Sequence, residues 1–304
     1  MNLHNEKELF GQYIAATADY MGLGDAGIVE KDYFVTCFLQ KIAEKLPGMI
    51  FKGGTSLSKC HKIIRRFSED IDLSVDTEAA RLTEGQRKRL KQDIISIIEE
   101  SGFRLENPGQ IRSRRDFNQY VVDYQGSPAY GSQKRYLIVE TSVFIKSFPA
   151  ETMEASSFVY DFLAAKGIDG EIEKYGLEPF KVRVQSIERT FIDKVFAIAD
   201  YCIDGNIDNH SRHIYDLYKI YPSIDFNEGF SRLVTEVREI RKPHAACRSA
   251  QDGVDLRGVL QKIIEDDIFR LDYKRFTETL LFEDMPYTKA IAVLARILDR
   301  GCFA

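Results

Sequence analysis

FKGGTSLSKCHKIIRRFSEDIDLSV, residues 51–75, decides how this chain is read, because it joins a glycine turn to two carboxylates one residue apart. Gly53 and Gly54 let the backbone approach a ligand with no Cβ in the way, and Thr55 and Ser56 add hydroxyls able to donate to phosphate oxygens. The apolar and basic run 57–66 predicts a short helix whose N-terminal amides face the same anion. Asp70 and Asp72 follow in IDLSV, where a period of two places both carboxylates on one face and sends Ile71 and Leu73 into the core. Two hard oxygen ligands beside a phosphate cradle predict Mg²⁺. Alone, a glycine pair is an ordinary turn and Asp-x-Asp an ordinary solvated strand end; their order, with a helix between, is what points to chemistry.

The same residues carry a resemblance. GG-T-S, a helix and then D-I-D is similar to the signature of the nucleotidyltransferase superfamily, and RFSEDIDL, residues 66–73, resembles the AbiEii/AbiGii type of nucleotidyltransferase toxin. VEKDY at 29–33, followed by Val35 and Thr36, resembles a second element of that family, and Asp193-Lys194 with Arg212-x-x-x-Asp216-Leu217-Tyr218 a third. The matches keep the family's order over about residues 29–219 and fade beyond. The resemblance implies a bilobed α+β chain: a nucleotidyltransferase-fold mixed sheet with flanking helices, plus a helical C-terminal lobe. It also implies the toxin of a type IV toxin-antitoxin or abortive infection system.

Composition agrees with an intracellular globular enzyme. With 304 residues, 44% of them hydrophobic, the chain can bury a sizeable core in one large or two moderate domains. No apolar run reaches the length of a membrane span, and the start MNLHNEKELFGQYIAATADYMGL reads as an amphipathic helix, since acids interrupt its apolar positions where a signal peptide has a continuous apolar core. Cys37, Cys60, Cys202, Cys247 and Cys302 are odd in number, scattered and free of any C-x-x-C, as expected of reduced thiols in a cytoplasmic protein. A net charge of -5 argues against wholesale wrapping of nucleic acid. Three local basic runs remain: Lys59, Lys62, Arg65 and Arg66; Arg112, Arg114 and Arg115; and Arg238, Arg241, Lys242, His244 and Arg248. Such runs are more often solvated faces than substrate contacts.

Periodicity predicts helices at 5–21 and 28–46, a short strand at 49–52, and a charged helix at 83–101 that buries Leu90, Ile94, Ile95, Ile97 and Ile98 and closes at Gly102. Strands are expected at 119–124 and 135–145, joined by a glycine and proline loop at 126–131, and at 180–184. One short helix is expected at 155–166 within the otherwise unread gap 146–179. From Ser186 the pattern is helical, which places a boundary near 182 between a nucleotidyltransferase lobe, residues 1–182, and a helical lobe, residues 183–304.

Glu140 interrupts the apolar strand RYLIVETSVFI, and a buried carboxylate there calls for a cation partner. A salt bridge to an arginine satisfies that need; the resemblance implies instead a third catalytic acid, holding metal or accepting the proton of the attacking hydroxyl. Lys194 among Phe191, Ile192, Val195 and Ile198 reads as a snorkelling lysine, and Arg212 with Asp216, four apart, as an intrahelical ion pair. The resemblance implies that Lys194 binds nucleotide phosphates across the cleft and that Asp216 orients it or contacts the nucleotide. Glu30, Lys31 and Asp32 open a helix, where acids are favourable for dipole reasons alone; the resemblance places this element against the nucleotide cleft. His61, His210 and His213 have no zinc spacing, and His213 reads as structural.

The inventory predicts nucleotidyl transfer: an NTP at Gly53, Gly54, Thr55 and Ser56, with Mg²⁺ on Asp70 and Asp72, joined by Glu140 as the resemblance implies, and attack of an acceptor on the α-phosphorus. The turn lacks the G-K-[ST] ending of a Walker NTPase, and the kinase elements H-R-D and D-F-G are missing. By resemblance transfer RNA is the leading acceptor and a cognate antitoxin the expected partner. A non-catalytic nucleotide or RNA-binding module and a metal-dependent ribonuclease are the alternatives; the first is opposed by the intact acids, the second by a glycine and hydroxyl turn that a nuclease does not need.

Overall fold

The computed structural model describes residues 2–68, 70–75, 82–113, 115–127, 136–143 and 146–303. Arg114 of the second basic run, residues 128–131 of the loop at 126–131, and residues 135, 144 and 145 of the strand expected at 135–145 lie outside the described residues. Two compact units divide the chain: Met1–Lys62 with Ser68–Val184, and Ile63–Phe67 with Gln185–Ala304. The change of period near 182 falls close to the division after Val184; the assignment of Ile63–Phe67 to the second unit has no counterpart in the sequence pattern.

In the first unit the N-terminal helical period gives α1 (Lys7–Met21), closed by Gly22 at φ +69, and α2 (Ala26–Lys45), capped by Asp25, whose carboxylate accepts from Gly27 N at 2.8 Å. The sheet is mixed and seven-stranded: β1 (Met49–Lys52), β2 (Ile71–Val75), β3 (Arg104–Leu105), β4 (Phe117–Asp123), β5 (Tyr136–Ser142), β6 (Ala150–Ala155) and β7 (Phe180–Gln185), in the spatial order β3-β4-β5-β2-β1-β7-β6. β1 runs antiparallel to β2 and parallel to β7; β2 is parallel to β5, and β4 is antiparallel to both β3 and β5. Alternation sends Phe51, Ile71, Leu73, Tyr120, Val122, Leu137 and Val139 into one core with Val29, Phe34, Phe38 and Leu39 of α2.

α3 (Gly53–Lys59) is shorter and earlier than the helix expected at 57–66: it starts on the glycines themselves and stops at Cys60. Lys62 then takes φ +56, a left-handed conformation that cannot propagate a helix, and Arg66 forms an antiparallel bridge with Leu281. α4 (Glu84–Glu100) carries a capping box between Thr83 and Gln86 and buries Ile94, Ile97 and Ile98; Gly102 follows at φ +73. The region expected to hold one helix contains β6 and two helices, α5 (Phe158–Ala165) and α6 (Asp169–Tyr175). β6 escapes a pattern reading because it lies at the sheet edge, with Glu151, Thr152 and Glu154 exposed and no apolar alternation to mark it.

The second unit is helical: α7 (Ile187–Asp204), α8 (Arg212–Ile220), α9 (Glu228–Arg241), α10 (Leu256–Glu265) and α11 (Tyr287–Arg300). α7 packs on α8, α9 and α10, and α11 on α8 and α10, burying Phe191, Phe196, Leu217, Leu260 and Leu294. Between α10 and α11, Tyr273–Thr277 form a π-turn. Ile63–Phe67 joins this unit by a backbone ladder, Phe67 N to Leu280 O and Phe282 N to Arg65 O, each 2.8 Å. No helix among the described residues is long and apolar enough to cross a membrane.

Candidate active site

The first unit gathers Gly53, Asp70, Asp72 and Glu140. Asp70 directly precedes β2, and Asp72 lies within it between the buried Ile71 and Leu73, so both carboxylates take the opposite face. Asp72 is paired in register with Lys52 of β1 on one side and Glu140 of β5 on the other, and Glu140 with Gln119 of β4. Lys52, Asp72, Glu140 and Gln119 thus form one row across four strands. Lys52 and Gln119 had no place in the sequence reading; the only signal for either is a polar residue set in an apolar strand. Glu140 corrects the expectation of a cationic partner: it is only partly buried, and its Oε1 accepts from the Gln119 amide at 2.9 Å, a neutral contact that partial hydration makes sufficient.

Gly53 stands at φ +80, and a Cβ built there would lie 2.0 Å from Asp72 Oδ2. The turn is therefore closed directly onto the Asp72 carboxylate, and glycine is required twice over, by conformation and by space. Gly54 follows in the first turn of α3. Ser56 is buried and donates its hydroxyl to Gly53 O at 2.9 Å, while Thr55, also buried, shares a 3.0 Å hydrogen bond with Ser68. Both were expected as phosphate donors; Ser56 gives its one proton to Gly53 O, whereas in the Thr55–Ser68 pair either hydroxyl can be the donor. Among the described residues no three or more His, Cys, Asp or Glu side chains are gathered as a metal cage.

The VEKDY element braces α3. Glu30, Lys31 and Asp32 lie beyond the first turn of α2 and are buried, so the dipole explanation does not hold. Asp32 receives Lys59 Nζ at 2.6 Å and Phe158 N at 2.8 Å, and Lys59 also donates to Thr36 Oγ1 at 2.6 Å. Burial pushes the Asp32 carboxyl up, against the pull of Lys59. Glu30 accepts from Ser127 N at 2.8 Å.

The second unit gathers Lys194, Asp216 and a residue unforeseen in this role, Arg66. Arg66 Nε and Nη2 reach the two Asp216 oxygens at 2.7 and 2.8 Å, and Lys194 Nζ reaches Oδ2 at 2.6 Å and His213 Nδ1 at 3.4 Å. The intrahelical Arg212–Asp216 pair expected from spacing is replaced by these partners. Burial raises the Asp216 carboxyl, but the Arg66 and Lys194 charges outweigh it and hold it well below the usual range. Burial lowers the Lys194 ammonium, with Arg66 adding to the effect and Asp216 opposing it. Burial, then Lys194 and Arg212, hold His213 well below its ordinary value, as a neutral ring. Asp193, beside Lys194, accepts from Gln185, Arg189 and Arg241.

Two of the basic runs dissolve into partners. Lys59 pairs with Asp32, Lys62 with Asp161 at 3.0 Å, and Arg66 with Asp216. In the last run Arg241 is buried on Asp193 and Asp200, and Lys242 pairs with Asp252.

A family model described as "Nucleotidyl transferase AbiEii toxin, Type IV TA system" matches residues 38–296. The matched span holds Gly53 to Asp72, Glu140, Lys194 and Asp216, and starts after the VEKDY element. No curated protein matches the chain.

Proposed function

The chain belongs to the AbiEii family of nucleotidyl transferase toxins of type IV toxin-antitoxin systems, and from that premise we propose that it is a Mg²⁺-dependent nucleotidyltransferase moving NMP from an NTP to RNA, with transfer RNA the leading acceptor and a cognate antitoxin its partner. The observation that supports this reading best is the Asp72 carboxylate, held between the Cβ-free surface of Gly53 and Glu140 on the neighbouring strand.

Asp70 and Asp72, with Glu140 beside them, are the residues that would hold Mg²⁺. The donor set fits: all are hard carboxylate oxygens, and Mg²⁺ uses one or two protein carboxylates and completes its shell with water and substrate phosphates, so a three-acid cage is not needed. When bound, the ion supplies neutralisation of phosphate charge. The Gly53-Gly54 turn offers backbone at close range to the triphosphate. Glu140, oriented by Gln119, takes the proton of the acceptor hydroxyl as its oxygen bonds to the α-phosphorus. The α–β phosphoanhydride bond breaks and pyrophosphate leaves. In the second unit Lys194 is assigned to nucleotide phosphate, with Asp216 orienting its ammonium.

Incubation with α-³²P-labelled NTP, Mg²⁺ and total bacterial RNA tests the reading. Wild-type protein is expected to label RNA, and Asp72→Asn to lower the rate by at least about a hundredfold with the fold intact; full activity in that variant would remove the metal assignment.

A further inference from the structure

Three flat rings stand beside Lys194 in the second unit, and the chemistry proposed above uses none of them. Tyr201 of α7 and His210 of the α7–α8 connection stack with centroids 3.5 Å apart and planes 6° from parallel. His213 lies 5.7 Å from Tyr201 at 16° and 6.3 Å from His210 at 11°, so all three rings share one orientation. His213 Nδ1 in turn stands 3.4 Å from Lys194 Nζ. Lys194 and Tyr201 are seven residues apart on α7, which puts them on one helix face with about 10 Å of rise between them. That is comparable to the span by which a nucleotide separates its base from its phosphates.

The backbone holds His210 in place. Asn209, before it, takes φ +66, a left-handed conformation that asparagine tolerates. Asp272 closes on both neighbours, its Oδ1 accepting from Asn209 N at 2.8 Å and its Oδ2 from Ser211 N at 2.9 Å. Ser211 Oγ and Thr277 Oγ1, both fully buried, share a 2.6 Å hydrogen bond that ties this segment to the π-turn. The His210 ring has no such tie: its Nδ1 is buried and has no hydrogen-bond partner among the described residues. Buried polar atoms in a settled interior are nearly always paired, so the ring is not there for its hydrogen bonds. His210 is only half-buried, and with one face against Tyr201, what is left open points away from that stack.

We propose that the open face of His210, backed by Tyr201, is the stacking surface for the base of the NTP whose phosphates Lys194 holds. This rests on the reading of Lys194 as a nucleotide phosphate ligand. The base of the NTP is favoured over a base of the RNA because Tyr201 shares the Lys194 face of α7. A planar surface takes any base by its π face, so stacking there adds affinity without choosing among the four.

Calorimetry on the full-length protein with Mg²⁺ compares two ligands. One is the tightest-binding of the four NTPs, used as α,β-methylene analogues that cannot transfer; the other is inorganic tripolyphosphate, which carries the phosphates without a base. The variants are Lys194→Met, His210→Leu, His210→Gln and His210→Phe, with circular dichroism melts alongside. His210→Leu and His210→Gln remove the flat ring and are expected to weaken the NTP analogue about tenfold while tripolyphosphate stays within about twofold of wild type. His210→Phe keeps a ring and is expected within about threefold of wild type for both ligands. Lys194→Met is expected to weaken both by about tenfold or more.

A histidine that only holds its loop predicts loss of both ligands or of neither. Equal loss of both, or unchanged analogue affinity, in folded His210→Leu and His210→Gln overturns the proposal, as does a loss in His210→Phe as large as in His210→Leu. Unchanged analogue affinity with a raised KM for RNA also overturns it and gives the surface to a base of the acceptor. Should His210→Leu fail to fold, His210→Gln decides by the same two affinities. Wild-type protein that binds neither ligand, or tripolyphosphate binding unmoved in Lys194→Met, overturns the reading of Lys194 as well; binding that needs Lys194 but shows no base-selective loss at His210 overturns the proposal alone.

Discussion

Gly53 shows how much chemistry a missing Cβ can carry. An alanine there would meet Asp72 Oδ2 at 2.0 Å and would sit at φ +80, so Gly53→Ala is expected to displace the carboxylate and lower transfer by about a hundredfold, while far-UV circular dichroism stays unchanged. Asp70 and Asp72 were legible because the strand period alone sets their face. Glu140 was legible as an odd acid in an apolar strand, but its amide partner was not, since that depends on the register of β4. Arg66 was legible as one cation in a run and as the first residue of RFSEDIDL, but its pairing was not, because the partner lies 150 residues away. Asp216 makes a prediction in pH. Its folded carboxyl sits below the ordinary 3.8, so the stability it contributes is fully present above about that pH and is lost as pH falls below it. Asp216→Asn, which strands two buried cations, is expected to cost about 3–5 kcal/mol at neutral pH. Urea unfolding at pH 7, 5 and 3 should show the gap to wild type hold between 7 and 5 and shrink at 3.

At the scale of elements, α3 matters more than its seven residues suggest. It carries the glycine turn at one end and Lys59 at the other, and Lys59 is locked to Asp32 and Thr36 of α2. Lys59→Met would leave the Asp32 carboxylate buried without its cation and is expected to destabilise the fold by about 3–5 kcal/mol; Asp32→Leu added to it should recover much of that loss. A double-mutant cycle by denaturant unfolding checks this, with additive losses as the contrary result. Elements with strong periods, α1, α2, α4 and β2, were readable from sequence. α3 was misplaced because it starts on two glycines and stops at Cys60, and Lys62 at φ +56 then bars a helix through the apolar and basic run that follows. β6 was missed because an exposed edge strand needs no alternation.

For the molecule as a whole, the least legible feature is the placement of Ile63–Phe67 with the helical unit, five residues that supply Arg66 and pair with the 280–282 segment. A fragment of residues 185–304 alone is therefore expected to melt without a cooperative transition, and adding the 63–67 peptide or fusing it should restore one; a sharply folded fragment would show that Arg66 is dispensable to the unit. The basic runs teach the same lesson about range: charge read along the chain suggested surfaces, whereas in three dimensions Lys59, Arg66 and Arg241 are buried on acids distant in sequence. The most direct measurement is to supply each α-³²P-labelled NTP in turn, with Mg²⁺ and total bacterial RNA, to wild-type protein and Asp72→Asn, and to resolve the products by length. Label on intact RNA extended by added nucleotides, with wild type only, is the predicted result; unlabelled, shortened RNA, or label independent of Asp72, would contradict nucleotidyl transfer at this site.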